Sequence, residues 1–168
     1  MSRLDLTEQL QPSLLDRLTN DTPDKTVESR EARVISVRRL REYVLRDLNW
    51  LLNAGNLDTQ GTAKDMPRVL SSVLNYGVRD LTGRTETGVR PEDLSALIRE
   101  AIERFEPRIL PGSVKVHWKG SKGSDSPGNH MVFEIEGELW AQPIPERLFL
   151  ETDVDLDSGQ YIVRRREG

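Results

Sequence analysis

The sequence predicts an α+β fold: an N-terminal docking helix and linker, then three helices packed on a small antiparallel sheet of three to four strands. Three observations carry this. Apolar residues recur at three- and four-residue steps as far as Phe105. Beyond Pro111 and Gly112 the period switches to two. No repeat of roughly 20–50 residues runs through the chain, so solenoids and propellers are excluded. The organisation reads as residues 1–31 for the helix and linker and 32–168 for the α+β body.

Near the start, Leu14, Leu15 and Leu18 follow Pro12 and Ser13, which marks a short amphipathic helix. The polar stretch from Asn20 to Glu31 has no periodicity and reads as a linker. Such a tethered helix either docks in a partner's groove or folds back on its own domain. Ser36 is placed to cap a second helix, whose stripe is Val37, Leu40, Val44, Leu48 and Leu51, widened by Leu45 and Leu52. Asn53, Ala54 and Gly55 mark its end, with Gly55 expected in the left-handed conformation. Pro67 opens a shorter helix through Val69, Leu70, Val73 and Leu74 to Gly77. Pro91 opens a third, with Leu94, Leu97, Ile98, Ala101, Ile102 and Phe105 as one apolar face, and Pro107 stops it.

Val114, Val116 and Trp118 then alternate with Lys115, His117 and Lys119 as a half-buried strand. Gly120 to Asn129 reads as a hairpin loop. Met131, Phe133, Ile135 and Leu139 point inward against outward Glu134, Glu136 and Glu138, until Pro143 and Pro145. A further strand from Arg147 turns inward Leu148, Leu150, Val154 and Leu156. The turn Asp157 to Gln160 leads into a last strand from Tyr161 to Arg164.

The 168 residues are 36% hydrophobic and 31% charged, enough for one domain with a real core and too few for a multidomain enzyme. With no cysteine, disulfides and thiolate metal sites are excluded. The opening residues have no signal-peptide core and no apolar run approaches the roughly 20 residues of a membrane span, so the expected location is cytoplasmic, without membrane insertion. The net charge is −4, with arginines crowded between Arg30 and Arg46 and acids between 134 and 157. Acids interrupt the basic stretch, and nucleic acid is not an expected partner.

Chemistry is sparse. The two histidines, His117 and His130, have no metal-ligand spacing, and Asp153, Asp155 and Asp157 fit the wet side of a strand better than a calcium loop. Phosphate-binding glycine motifs are missing. Glu106 beside Phe105 and Pro107 is the one candidate for a raised carboxyl pKa, but Arg108 pushes the other way. No catalytic residue and no cofactor or metal is therefore expected. Glu106, Pro107 and Arg108 set an acid and a base around a rigid residue at a helix-to-strand junction, either projecting toward a partner or closing the helix with a local ion pair.

Four motifs carry a resemblance: Pro12-Ser13-Leu14-Leu15-Asp16-Arg17-Leu18, Val44-Leu45-Arg46-Asp47-Leu48-Asn49-Trp50-Leu51-Leu52-Asn53, Ser72-Val73-Leu74-Asn75-Tyr76-Gly77 and Phe105-Glu106-Pro107-Arg108. In order and spacing the chain resembles the TssE-type baseplate subunit of bacterial type VI secretion. That family is similar to the wedge protein of contractile phage tails once described as a lysozyme. The likeness runs from Pro12 to about Val163 and departs at Gly120 to Asn129, and at Arg79, where the family often has proline.

The resemblance implies a structural subunit and no reaction. It would join TssF and TssG in the wedge, with TssK in the larger baseplate, docked near the inner membrane. Its sheet would meet the sheath proteins TssB and TssC. Glu106, Pro107 and Arg108 would contact the wedge's helical core bundle, and Leu14, Leu15, Arg17 and Leu18 would dock on a neighbour. An open strand edge would be extended by a partner strand, with Arg164, Arg165 and Arg166 guarding it against self-pairing. The alternative is a peptidoglycan-cleaving, lysozyme-like hydrolase using a carboxylate pair.

Overall fold

The computed structural model describes residues 13–18, 37–58, 65–79, 90–121, 130–141 and 145–166. Expectations for Pro12, the linker, Ser36, the turn at 81–88, the loop 122–129 and Pro143 lie outside these residues. The described elements are α1 (Leu14–Leu18), α2 (Val37–Asn53), α3 (Pro67–Leu70), a 3-10 turn (Val73–Asn75), α4 (Pro91–Phe105), β1 (Lys115–Ser121), β2 (His130–Leu139), β3 (Glu146–Asp155) and β4 (Gln160–Arg165). The strands form one antiparallel sheet in the order β1-β2-β3-β4.

Helices α2 and α4 cover one face, α2 over β4 and α4 over β1. The predicted stripes make the core: Leu40, Val44, Leu48, Leu51 and Leu52 from α2, and Leu94, Ile98, Ala101 and Ile102 from α4. Beneath them lie Met131, Phe133, Ile135, Leu148, Leu150, Val154, Tyr161 and Val163, every second residue of their strands. Leu97 is only half-buried, so the apolar face of α4 is narrower than its sequence implies.

Several local expectations need correction. The helix expected from Pro67 to Gly77 breaks into α3, which buries nothing, and the 3-10 turn, so two helices and not three pack on the sheet. The break lets the Asn75 amide donate to Leu70 O and accept from the Asp58 amide, while Val73 and Leu74 stay exposed. Gly55 is not left-handed; it bridges to Val78 beside α2. The positive φ of 115° falls on Gly77, where a Cβ would sit 2.1 Å from Ala54 O. A register shift between Trp118 and Gly120 puts an extra residue into β1, and Trp118 is left half exposed. Glu134 is buried, not outward in water: Lys119 and Arg166 close over its carboxylate on the sheet's outer face.

Helix α2 also closes one edge of the sheet. Asn49 Nδ2 donates to Val163 O at 3.1 Å and its Oδ1 accepts from Val163 N at 3.0 Å. Asn53 repeats the pair on Tyr161, at 2.7 and 3.0 Å. The spacings match because four helical residues rise about 6 Å and two strand residues about 6.6 Å. Two side chains thus stand in for a fifth strand along β4. Asn53→Ala is expected to cost about 1–3 kcal/mol in urea unfolding, with faster amide exchange at Tyr161.

Candidate functional site

Pro107 stops α4, and the chain turns so that Glu106 faces inward, with Ile109 N bonded to Glu106 O. Glu106 is 4% exposed. Arg108 grips it with both ends of its fork, Nε to Oε1 at 2.7 Å and Nη2 to Oε2 at 2.5 Å, and the Arg108 amide adds a bond to Oε1. The same Nη2 reaches Asp47 Oδ2 on α2 at 2.6 Å. Asp47 Oδ1 takes Arg46 Nε at 2.8 Å, and Arg46 Nη2 reaches Asp16 Oδ1 in α1 at 2.7 Å. Ser13 closes the series with a 2.5 Å hydroxyl bond to Asp16 Oδ2.

This is a chain of alternating charge, Glu106, Arg108, Asp47, Arg46 and Asp16, joining three elements distant in sequence. Burial works against the charge on Arg108, but its bonds and attraction to Glu106 and then to Asp47 hold its pKa above the ordinary arginine value. Arg46 is raised in the same way by Asp16 and Asp47, against burial. Its guanidinium also lies 5.1 Å from the Tyr43 ring and 5.0 Å from that of Trp50. Burial raises the Tyr76 phenol, helped by the charges of Asp47 and Glu106. The Tyr76 ring meets Phe105 edge to face at 5.4 Å.

Around this chain opens a cavity of about 440 Å³, lined by Ser13 and Leu15, by Asp47, Trp50 and Leu51, by Tyr76, and by Phe105 to Arg108. Each of the four sequence motifs contributes to its wall. Of the residues expected to bind a partner, Pro107 is exposed and Arg108 half-buried, while Glu106 does not project but holds Arg108 in place. Leu14, Leu15 and Leu18 are 72%, 46% and 75% exposed, because α1 turns Asp16 inward and its leucines outward. Arg17 lies in α1 with its side chain outside the described residues. Asp16, Arg46, Asp47, Trp50 and Tyr76 were not singled out, although each lies within a quoted motif.

Glu106 is poorly placed for a general acid, since both of its oxygens are already engaged as acceptors by the Arg108 guanidinium. Among the described residues no group of three or more histidines and acids could hold a metal. His130 Nδ1 pairs with Asp153 at 3.0 Å, and Asp155 is occupied by the Asp157 amide and the Ser158 hydroxyl in the β3-β4 turn. No described helix is long and apolar enough to cross a membrane.

The profile of a family described as baseplate wedge protein gp25 matches residues 38–144, well over half of the chain. No curated relative and no solved structure matches.

Burial opposes the Asp16 charge, but the bonds from Ser13 and Arg46 win and lower its pKa below 3.8. A carboxylate with a depressed folded pKa stabilises above its unfolded value and loses that contribution as pH falls through the folded one. Amide-exchange protection of α1 is therefore expected to hold at neutral pH and to fall below about pH 4. In Asp16→Asn it should be low throughout.

Proposed function

The chain belongs to the baseplate wedge protein gp25 family, and from that membership we propose that it is a structural subunit of the type VI secretion baseplate wedge, joining the wedge core to the first ring of the contractile sheath. The convergence of all four motifs on one cavity supports this most. A hydrolase would place free carboxylates in a cleft, whereas this cavity pairs its acids with arginines and lines the rest with Leu15, Trp50, Tyr76 and Phe105. Such a surface suits an apolar helix face of a partner.

In this reading TssF and TssG supply the helices that fill the cavity and cover Leu14, Leu15 and Leu18, and TssK joins in the larger baseplate near the inner membrane. The sheath proteins TssB and TssC meet the sheet at β1. The outward backbone groups of β4 at Tyr161 and Val163 are taken by Asn53 and Asn49, whereas no such clamp lies along β1 among the described residues.

Co-expression with the wedge partners tests this. Trp50→Ala should cost about 2 kcal/mol or more of binding. Leu14→Asp with Leu18→Asp should also weaken co-purification, with circular dichroism unchanged in both variants. Partner recovery equal to wild type from both, or turnover of peptidoglycan by the isolated protein, would contradict the proposal.

A further inference from the structure

A second cavity, of about 470 Å³, lies at the opposite end of α2, where that helix meets β3 and the end of β4. Its rim carries Arg38, Arg41, Arg147, Arg165 and Arg166, and its floor is Leu45, Phe149 and their buried neighbours. The last register pair is Leu150 with Arg165, and Arg166 N still donates to Phe149 O, so among the described residues β3 runs on from Leu148 back to Glu146 beyond β4 and leaves a notch in the sheet. Three of the arginines have internal acids: Arg38 has Glu42, Arg41 has Glu146, and Arg166 crosses to Glu134. Arg147 and Arg165 are exposed and have no acidic partner among the described residues. Phe149 is 39% exposed beside them.

We propose that this arginine-rimmed notch binds an acidic segment of a partner protein, with one apolar side chain on Leu45 and Phe149 and carboxylates on Arg147 and Arg165. The proposal goes beyond the wedge reading and does not depend on it. Charge complementarity selects the occupant: in a chain of net charge −4, a local excess of guanidinium groups around an apolar floor favours a ligand that carries both acids and an apolar anchor. A nucleic acid fits less well. Among the described residues only Arg147 and Arg165 of the rim lack an acidic partner, too few for a continuous track of phosphates. Arg41 is braced for the task, since it also reaches the Arg147 carbonyl at 3.5 Å and holds the helix against the strand.

The test is selection of a random displayed peptide library on the immobilised full chain, followed by fluorescence anisotropy of the enriched peptides. Enriched sequences should combine aspartate or glutamate with a large apolar residue. Their affinity should fall about tenfold or more in Arg147→Glu with Arg165→Glu, because like charges then face each other, and should fall with added salt. Phe149→Ser should weaken binding by a separate route, and circular dichroism checks that each variant folds. An empty selection, no acidic enrichment, or equal binding to the double variant would overturn the proposal. So would displacement of the peptide by a single-stranded oligonucleotide at lower concentration. Tighter binding after neutralising Asp21, Asp24, Glu28 and Glu31 would make the chain's own segment the competitor and overturn it as well.

Discussion

The guanidinium of Arg108 is the group on which the arrangement depends. It is only 22% exposed, a state a cation tolerates when acids surround it, and the chain supplies Glu106 two residues before it and Asp47 from α2. Removing one member of such a set leaves another charge buried and unmatched, at a cost of about 3–5 kcal/mol. The turn after α4, the pitch of α2 and the seat of α1 are therefore coupled. Pro107 makes the coupling rigid by ending α4 where Glu106 can turn inward.

Helix α2 does four jobs on one cylinder. Its leucines and Val44 fill the core, Asn49 and Asn53 clamp β4, Arg46 and Asp47 carry charge from α4 to α1, and Arg38 and Arg41 wall the second cavity. The 3.6-residue period separates these roles, since residues four apart share a face and their neighbours do not. The side-chain clamp also makes the two edges of the sheet unlike: β4 is occupied at Tyr161 and Val163, whereas β1 carries no such clamp among the described residues.

The periodic parts of the fold were legible in the sequence. The stripes of α2 and α4 and the alternation in β2 to β4 follow from burial, which reads out as spacing. What spacing does not encode was missed. Glu134 sits at an outward position yet is buried, because Lys119 and Arg166 fold over it. Trp118 is displaced by a one-residue bulge, and Gly77, not Gly55, takes the positive φ, where Ala54 O leaves no room for a Cβ. At the candidate site, Glu106-Pro107-Arg108 and the α1 leucines stood out as residue types. The link between them did not, since Asp16, Arg46 and Asp47 look like ordinary helix-surface charges until the fold brings them together. Of the two readings left open for Glu106 and Arg108, the local ion pair is formed, and it also builds the wall of a cavity.

The central claim is that this cavity receives a helix of a wedge partner. A photo-cross-linking phenylalanine analogue in place of Tyr76, which is 36% exposed on the cavity wall, tests it most directly in the assembled wedge. The account predicts cross-links concentrated on one helical segment of a wedge-core protein, and their loss when the wedge is dissociated. An assembled wedge that gives no cross-link from this position, or gives them only to sheath protein, would contradict it.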